Sequence, residues 1–426
     1  MEETSAAEAA ARVRDLDRLA VPLGPGQPAE FLHALGERQG FERLEVFAAL
    51  LVDLFPLFTR PGVRLYSGFF GPVERGLRDA GFDVHFVPAD FRRFAQIARR
   101  MAPRVMATAA APPDERGWCS LSLHAGATVE ELTRCGRDPE RLLVVEAGAA
   151  YPRTQGLGAH AHALHVDEID VLVRSEAEPR ALPGSEPGEV ERAIARHALP
   201  FIPEGATLQT GIGGVPDAIA ALLAEGESGG FGVHSELFGD GLLRLHRSGK
   251  VDDLSKGFHD GYSICTFAMG SRDLYDWLDG EGRERVRFLP AAVVNDPHHI
   301  ARNRNMVAIN GALLVDLAGQ IVADHLHGRV WSGIGGHEDF VSGATFSEGG
   351  RSLVCLPSTA KQVSRIVADF EPHTCITTPR HQVDVVLTEH GAAELAGRTA
   401  EERREALIAI ADPAHRDALR DAREHD

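Results

Sequence analysis

The chain has 426 residues, of which 44% are hydrophobic and 25% charged, so it is long enough for two or three domains with sizeable cores. Its formal net charge of −18 disfavours a nucleic-acid binder, whose footprint is a basic face. The five cysteines are widely spaced with no CxxC, and no apolar run approaches the roughly 20 residues that span a membrane.

In chain order, the acidic, Ala-rich start (MEETSAAEAAARVRDLDRLA) lacks the apolar segment of a secretory signal, which predicts a cytoplasmic protein with reduced thiols. From about residue 62 short apolar runs alternate with helical patterns. VRLYSGFF, VHFVP, VMATAAA, LLVVEAG and IDVLVRS read as strands; PVERGLRDAGF and ADFRRFAQIARRM read as helices. Alternation of this kind predicts βαβ units and a parallel sheet. Residues 174–190, polar and carrying three prolines, read as a linker. A second alternation follows. VERAIARHALPFI and PDAIAALLAE are helical, and ATLQTG, FGVHSELF, YSICTFAM, VRFLPAAVV, MVAINGALLVD, SLVCLPST and VDVVLTE read as strands. TAEERREALIAI and AHRDALRDAREH form a helical tail. The expected organisation is two α/β domains, 1–180 and 181–426.

The second half carries GIGG twice, at 211–214 and 333–336. A dinucleotide loop needs a third glycine, but Pro216 and Glu338 stand there; a phosphate-binding loop of the Walker type needs a Lys that neither copy has. Nicotinamide, flavin and nucleotide-triphosphate readings therefore fall away. Consecutive glycine N–H groups still form a nest able to hold a phosphate or a developing oxyanion, and the bland alternative is a tight turn. Histidines recur at His160, His162 and His165, at His298 and His299, and at His325 and His327. H-x-H on a strand suits zinc, but no carboxylate ligand completes a motif, so no metal is expected.

Several segments together resemble the acetyl-CoA hydrolase/CoA-transferase family, which includes 4-hydroxybutyrate and acetate CoA-transferases. They are TLQTGIGGVPDA, GVHSELFGDG at 232–241, NDPHHIA at 295–301, AINGALLVDLAGQ at 308–320, GIGGHEDF at 333–340 and VLTEHGAAEL at 386–395. In the first half APPDERGWCSLS at 111–122 and PRTQG at 152–156 join them. The resemblance implies two open α/β domains of the CoA-transferase (NagB/RpiA-like) type with the active site between them. The carboxyl-terminal domain would carry the nucleophile, Glu236. It implies an oxyanion site from Asn295 and Gly336. It further implies CoA or acyl contacts from Gly211, Ile212, Gly213 and Gly214, and from Gly333, Gly335 and His337. Acyl-CoA and a small carboxylate would be the substrates, exchanged through a glutamyl-CoA thioester in a homodimer without a permanently bound cofactor. An acyl-CoA hydrolase using the same glutamate is the rival enzyme, and a non-enzymatic acyl-CoA sensor the rival from another class. Two departures stand out: His337 occupies a place where many relatives have Gln, and EAGAAY before Pro152 replaces an Asn-containing run. Residues before about 60 match the family poorly. Cys119 and Cys355 are nucleophiles in principle, though small buried side chains suit strand packing.

Overall fold

The two alternations build two separate sheets. The computed structural model describes residues 1–126, 128–184 and 186–422. Its first unit comprises Met1–Leu182 and Ile264–Val294, and its second Pro183–Ser263 and Asn295–Asp426. Residues 264–294 lie beyond the linker, in the half that the sequence boundary assigns to the second domain, yet they fold with the first unit. Long-range backbone bonds hold them there: Ala125 and Gly126 donate to the Thr266 carbonyl, Ala268 to Leu123, and Phe288 to Gln155. A contact made across more than 130 residues leaves no local trace in sequence.

The first unit's sheet has eight strands: β1 (Glu2–Thr4), β2 (Leu16–Ala20), β3 (Arg43–Ala48), β4 (Val63–Ser67), β5 (Val84–Phe86), β6 (Val105–Ala110), β7 (Leu142–Gly148) and β8 (Val171–Ser175). They lie in the order β1-β8-β7-β6-β2-β3-β4-β5. Every neighbouring pair is parallel. A parallel sheet is covered on both faces, and β6 and β7 are accordingly buried at every position. Leu19, Val46, Leu65, Val105 and Val144 belong to its core. The alternation expected from about residue 62 starts at β4, so β1, β2 and β3 are additions that the structure makes to it. In β2 and β3 the apolar alternation is interrupted by charges that pair in the fold: Arg18 lies opposite Glu45 and bonds it at 3.1 Å, and Arg104 holds Asp17.

The second unit's sheet comprises β9 (Thr207–Thr210), β10 (Gly232–Val233), β11 (Met306–Gly311), β12 (Arg351–Cys355), β13 (Val385–Thr388) and β14 (Gly391–Glu394), ordered β10-β9-β11-β12-β13-β14. All pairs are parallel except the last. Helices α1 (Gly214–Glu225) and α2 (His337–Phe346) start at the two GIGG turns.

Several predicted strands are broken, among them YSICTFAM, which divides into Ser263–Cys265 and Phe267–Ala268. FGVHSELF leaves the sheet after Val233 and resumes only as Leu237–Phe238, VRFLPAAVV turns helical at Ala291–Val294 after Pro290, and MVAINGALLVD divides into Met306–Gly311 and Leu314–Asp316. The tail forms helices at Ala400–Ala409 and Arg416–Asp421, and the last predicted helical positions, 423–425, lie outside the described residues. Among the described residues no helix is long and apolar enough to cross a membrane.

Candidate active site

The break in FGVHSELF produces the site. Gly232 and His234 donate their N–H groups inward to the Ala206 and Leu208 carbonyls on the β9 side. Ser235 continues the pairing with its side chain: Oγ donates to the Thr210 carbonyl and accepts the Thr210 N–H. His234 is fully buried near the rings of Phe258 and Phe340. With His234 and Ser235 anchored, Glu236 projects from a fixed backbone three residues after the strand ends at Val233.

Its carboxylate meets two donors. Asn295 Nδ2 lies 2.7 Å from Glu236 Oε2, and the Gly336 N–H also bonds the carboxylate. Glu236 keeps some exposed surface, but its carboxyl group is surrounded by protein. Burial pushes its pKa up to about 7, against the lowering effect of the Asn295 and Gly336 hydrogen bonds. Near neutral pH the group is thus divided between carboxylic acid and carboxylate.

Gly336 is glycine for reasons of space. Its φ of −91° suits any residue, but a Cβ would fall 2.3 Å from both Asn295 Nδ2 and Glu236 Oε2. Gly335 in turn needs its left-handed φ of 55°. Because Gly336 caps α2, the positive end of that helix also faces the carboxylate.

Sequence reasoning overlooked Asp339. It is fully buried in the first turn of α2, and its Oδ2 accepts a second bond from Asn295 Nδ2 at 3.2 Å. One amide therefore bridges two carboxylates, which settles which way it points. Its Oδ1 is buried without a hydrogen-bond partner among the described residues. The available signal was the spacing GIGGHED, which puts an acid three positions beyond Gly336; only the need to hold Asn295 gives that acid meaning.

The two GIGG turns differ. Gly333, Gly335 and Gly336 are buried, whereas Ile212 and Gly213 are exposed and Gly211 and Gly214 partly so. Space is open around Gly211 and Gly213, where an added Cβ would meet nothing within 4 Å. The first turn is nonetheless tied to the site, because it starts immediately after Thr210, the partner of Ser235. His337 is turned inward: Nε2 lies 2.9 Å from Thr378 Oγ1, and burial lowers its pKa to about 4.

The other candidates have separate partners. His162 bonds the Ser122 carbonyl and stacks on Phe288, and His165 reaches the Arg116 carbonyl. No group of three or more metal-ligating side chains is present among the described residues. Burial raises the thiols of Cys119 and Cys355 to about 11 and about 12, which disfavours the nucleophilic thiolate.

Comparison with known proteins adds independent information. The family model for the acetyl-CoA hydrolase/transferase C-terminal domain matches residues 270–423. The chain is 34% identical to the succinyl-CoA:cyclohexane-1-carboxylate CoA transferase of Geobacter metallireducens, over 98% of this chain and 94% of that one. It is 31% identical to the 4-hydroxybutyrate coenzyme A transferase of Clostridium kluyveri, over 97% and 95%. The crystal structure of RipA from Yersinia pestis superposes with a TM-score of 0.89 at 29% identity, covering 98% of this chain and 96% of RipA.

Proposed function

The chain belongs to the acetyl-CoA hydrolase/transferase family and is an enzyme of that type, and we propose that it moves coenzyme A from an acyl-CoA to a small carboxylate through a glutamyl-CoA thioester on Glu236. In the first step the Glu236 carboxylate attacks the thioester carbonyl. The C–S bond breaks, giving an acyl-glutamyl anhydride and the CoA thiolate. The thiolate then attacks the glutamyl carbonyl, the acyl group leaves as a carboxylate, and CoA stays on Glu236. An incoming carboxylate attacks this thioester to form a new anhydride, and the released thiolate takes its acyl group, regenerating Glu236. Covalent capture divides a difficult exchange into steps between groups of similar energy.

One observation carries the reading: the Glu236 carboxylate already sits on two hydrogen-bond donors, Asn295 Nδ2 on its Oε2 and the Gly336 N–H. Once Oε1 has been acylated, Oε2 is the carbonyl oxygen of the anhydride. Negative charge develops on it when the thiolate attacks; the Asn295 donor already points there, and the Gly336 N–H bonds the same carboxylate. Asp339 holds the Asn295 amide in that orientation. The exposed Gly211–Gly214 turn and the start of α1 offer N–H groups for an anionic part of the substrate.

The test is chemical trapping. Protein incubated with acetyl-CoA and then borohydride should lose activity and carry the reduced thioester on the peptide containing Glu236. Trapping on any other residue would refute the assignment. Adding acetate, succinate, propionate or 4-hydroxybutyrate, and comparing acyl transfer with CoA release to water, separates transferase from hydrolase.

A further inference from the structure

Of the 44 Lys and Arg residues only three are Lys, at 250, 256 and 361. Lys256 is 1% exposed, a rare place for an ammonium group. Its Nζ donates to the Val233 carbonyl at 3.0 Å and to the Tyr262 carbonyl, and lies 3.5 Å from Asp253 Oδ1. Three acceptors match the three ammonium protons, a fit that a forked, planar guanidinium does not offer. Asp253, also buried, accepts the Val233 N–H on Oδ1 at 2.7 Å and the Ser263 hydroxyl on Oδ2 at 2.7 Å. His246 Nε2 lies 2.9 Å from Ser263 Oγ and extends the buried chain.

Both polar groups of Val233 are thus held by one ion pair. The topology explains why they need it. Strand β10 is at the edge of its sheet. Gly232 and His234 pair inward with the β9 side, so Val233 faces outward, where a further strand would otherwise lie. One step earlier, Phe231 finds backbone partners in that position: its N–H donates to Lys250, and its carbonyl accepts from Asp252 and Asp253. At Val233 the side chains of Asp253 and Lys256 replace the missing ladder. Gly232 makes this possible, since a Cβ there would lie 2.2 Å from Lys256 Cγ and 2.5 Å from Cδ.

Glu236 follows Val233 by three residues. We propose that the Asp253–Lys256 pair is a positioning device for Glu236, clamping the Val233 peptide so that the glutamate carboxylate meets Asn295 and Gly336. The inference rests on the reading of Glu236 as the nucleophile. A buried ion pair is seldom the most stabilising choice for its space. Its use here is directional: it fixes one peptide at the point where the chain leaves the sheet. Displacing a reacting group by about 1 Å costs roughly 10²-fold in rate.

The test compares the full-length protein with Asp253→Asn/Lys256→Met, Gly232→Ala and Glu236→Gln. The double variant leaves no unpaired buried charge, and Gly232→Ala disturbs the Lys256 stem from the other side while leaving both charges in place. Fold is checked by circular dichroism and thermal melting. We expect kcat to fall about 10–100-fold, with KM for acyl-CoA within about threefold, and slower single-turnover trapping on Glu236. A merely structural pair would lower active protein in proportion to the folded fraction and leave kcat per folded molecule unchanged. If Glu236→Gln is inactive while the clamp variants keep parental kcat per folded molecule, this proposal fails alone. If Glu236→Gln stays active, the nucleophile assignment fails and takes this proposal with it. Should the double variant not fold, Gly232→Ala decides on the same criteria.

Discussion

Gly336→Ala isolates the geometry around Glu236 from its chemistry. The change removes no polar group and keeps the 336 N–H, and the φ of −91° is as easy for Ala as for Gly. Its only direct effect is a methyl group 2.3 Å from Asn295 Nδ2 and from Glu236 Oε2. To reach ordinary contact distance each atom must retreat by about 1 Å. Neither can retreat freely, since Asn295 is held by Asp339 and Glu236 by the anchored His234–Ser235 segment. The 2.7 Å bond between them is therefore the contact that breaks. Displacement by that amount, with loss of one oxyanion donor, predicts a fall in kcat of roughly 10²–10³-fold, or about 3–4 kcal/mol of transition-state stabilisation. The assay is steady-state acyl transfer together with single-turnover trapping on Glu236, with melting temperature and circular dichroism as controls. A folded Gly336→Ala protein with kcat within threefold of the parent would refute the reasoning.

Asn295→Ala removes a donor outright and should cost roughly 10²–10³-fold in kcat; the same loss should move the pH inflection of the first acyl-transfer step upward, because that hydrogen bond favours the charged form of Glu236. In the parent, attack requires the carboxylate, so kcat/KM for acyl-CoA should rise about tenfold per pH unit below about 7 and level off above it, as measured by initial rates across the range. A stability effect runs the other way. Because the folded-state pKa of Glu236 is raised above its unfolded value, its contribution to stability is fully present below pH 4.5 and lost as pH rises through about 7. Glu236→Gln should accordingly melt at the parental temperature near pH 4.5 and higher than the parent at pH 8, by on the order of 3 kcal/mol at most. Thiol titration should find one reactive cysteine in the native protein, the exposed Cys375, and five after denaturation, with acyl transfer unaffected by labelling Cys375.

The legible parts of this molecule are those whose signal is local. Runs such as VMATAA and LLVVEAG are apolar at nearly every position because both faces of a parallel sheet are covered, and periodicity reports that directly. The two glycine turns were visible for the same reason, and so were Glu236, Asn295 and Gly336 once motif order linked them. What escaped depended on partners distant in sequence. Strands β2 and β3 hide behind Asp17, Arg18 and Glu45, which become acceptable only when Arg104 and the neighbouring strand arrive. The attachment of 264–294 to the first unit rests on backbone bonds to residues such as Leu123 and Gln155. Asp339 and Lys256 each look like ordinary surface charges in the sequence. Their roles come from being buried against an amide and a peptide that only the fold brings to them.

The covalent role of Glu236 is tested most directly by following oxygen. If an acceptor carboxylate attacks glutamyl-CoA and its acyl group is then taken by thiolate, one carboxylate oxygen remains on the glutamate at the end of each turnover. Protein turned over with acyl-CoA and a heavy-oxygen carboxylate, then digested, should carry that oxygen on the peptide containing Glu236, and should carry none when acyl-CoA is omitted. Efficient transfer of CoA to the labelled carboxylate with no heavy oxygen on Glu236 would contradict the account.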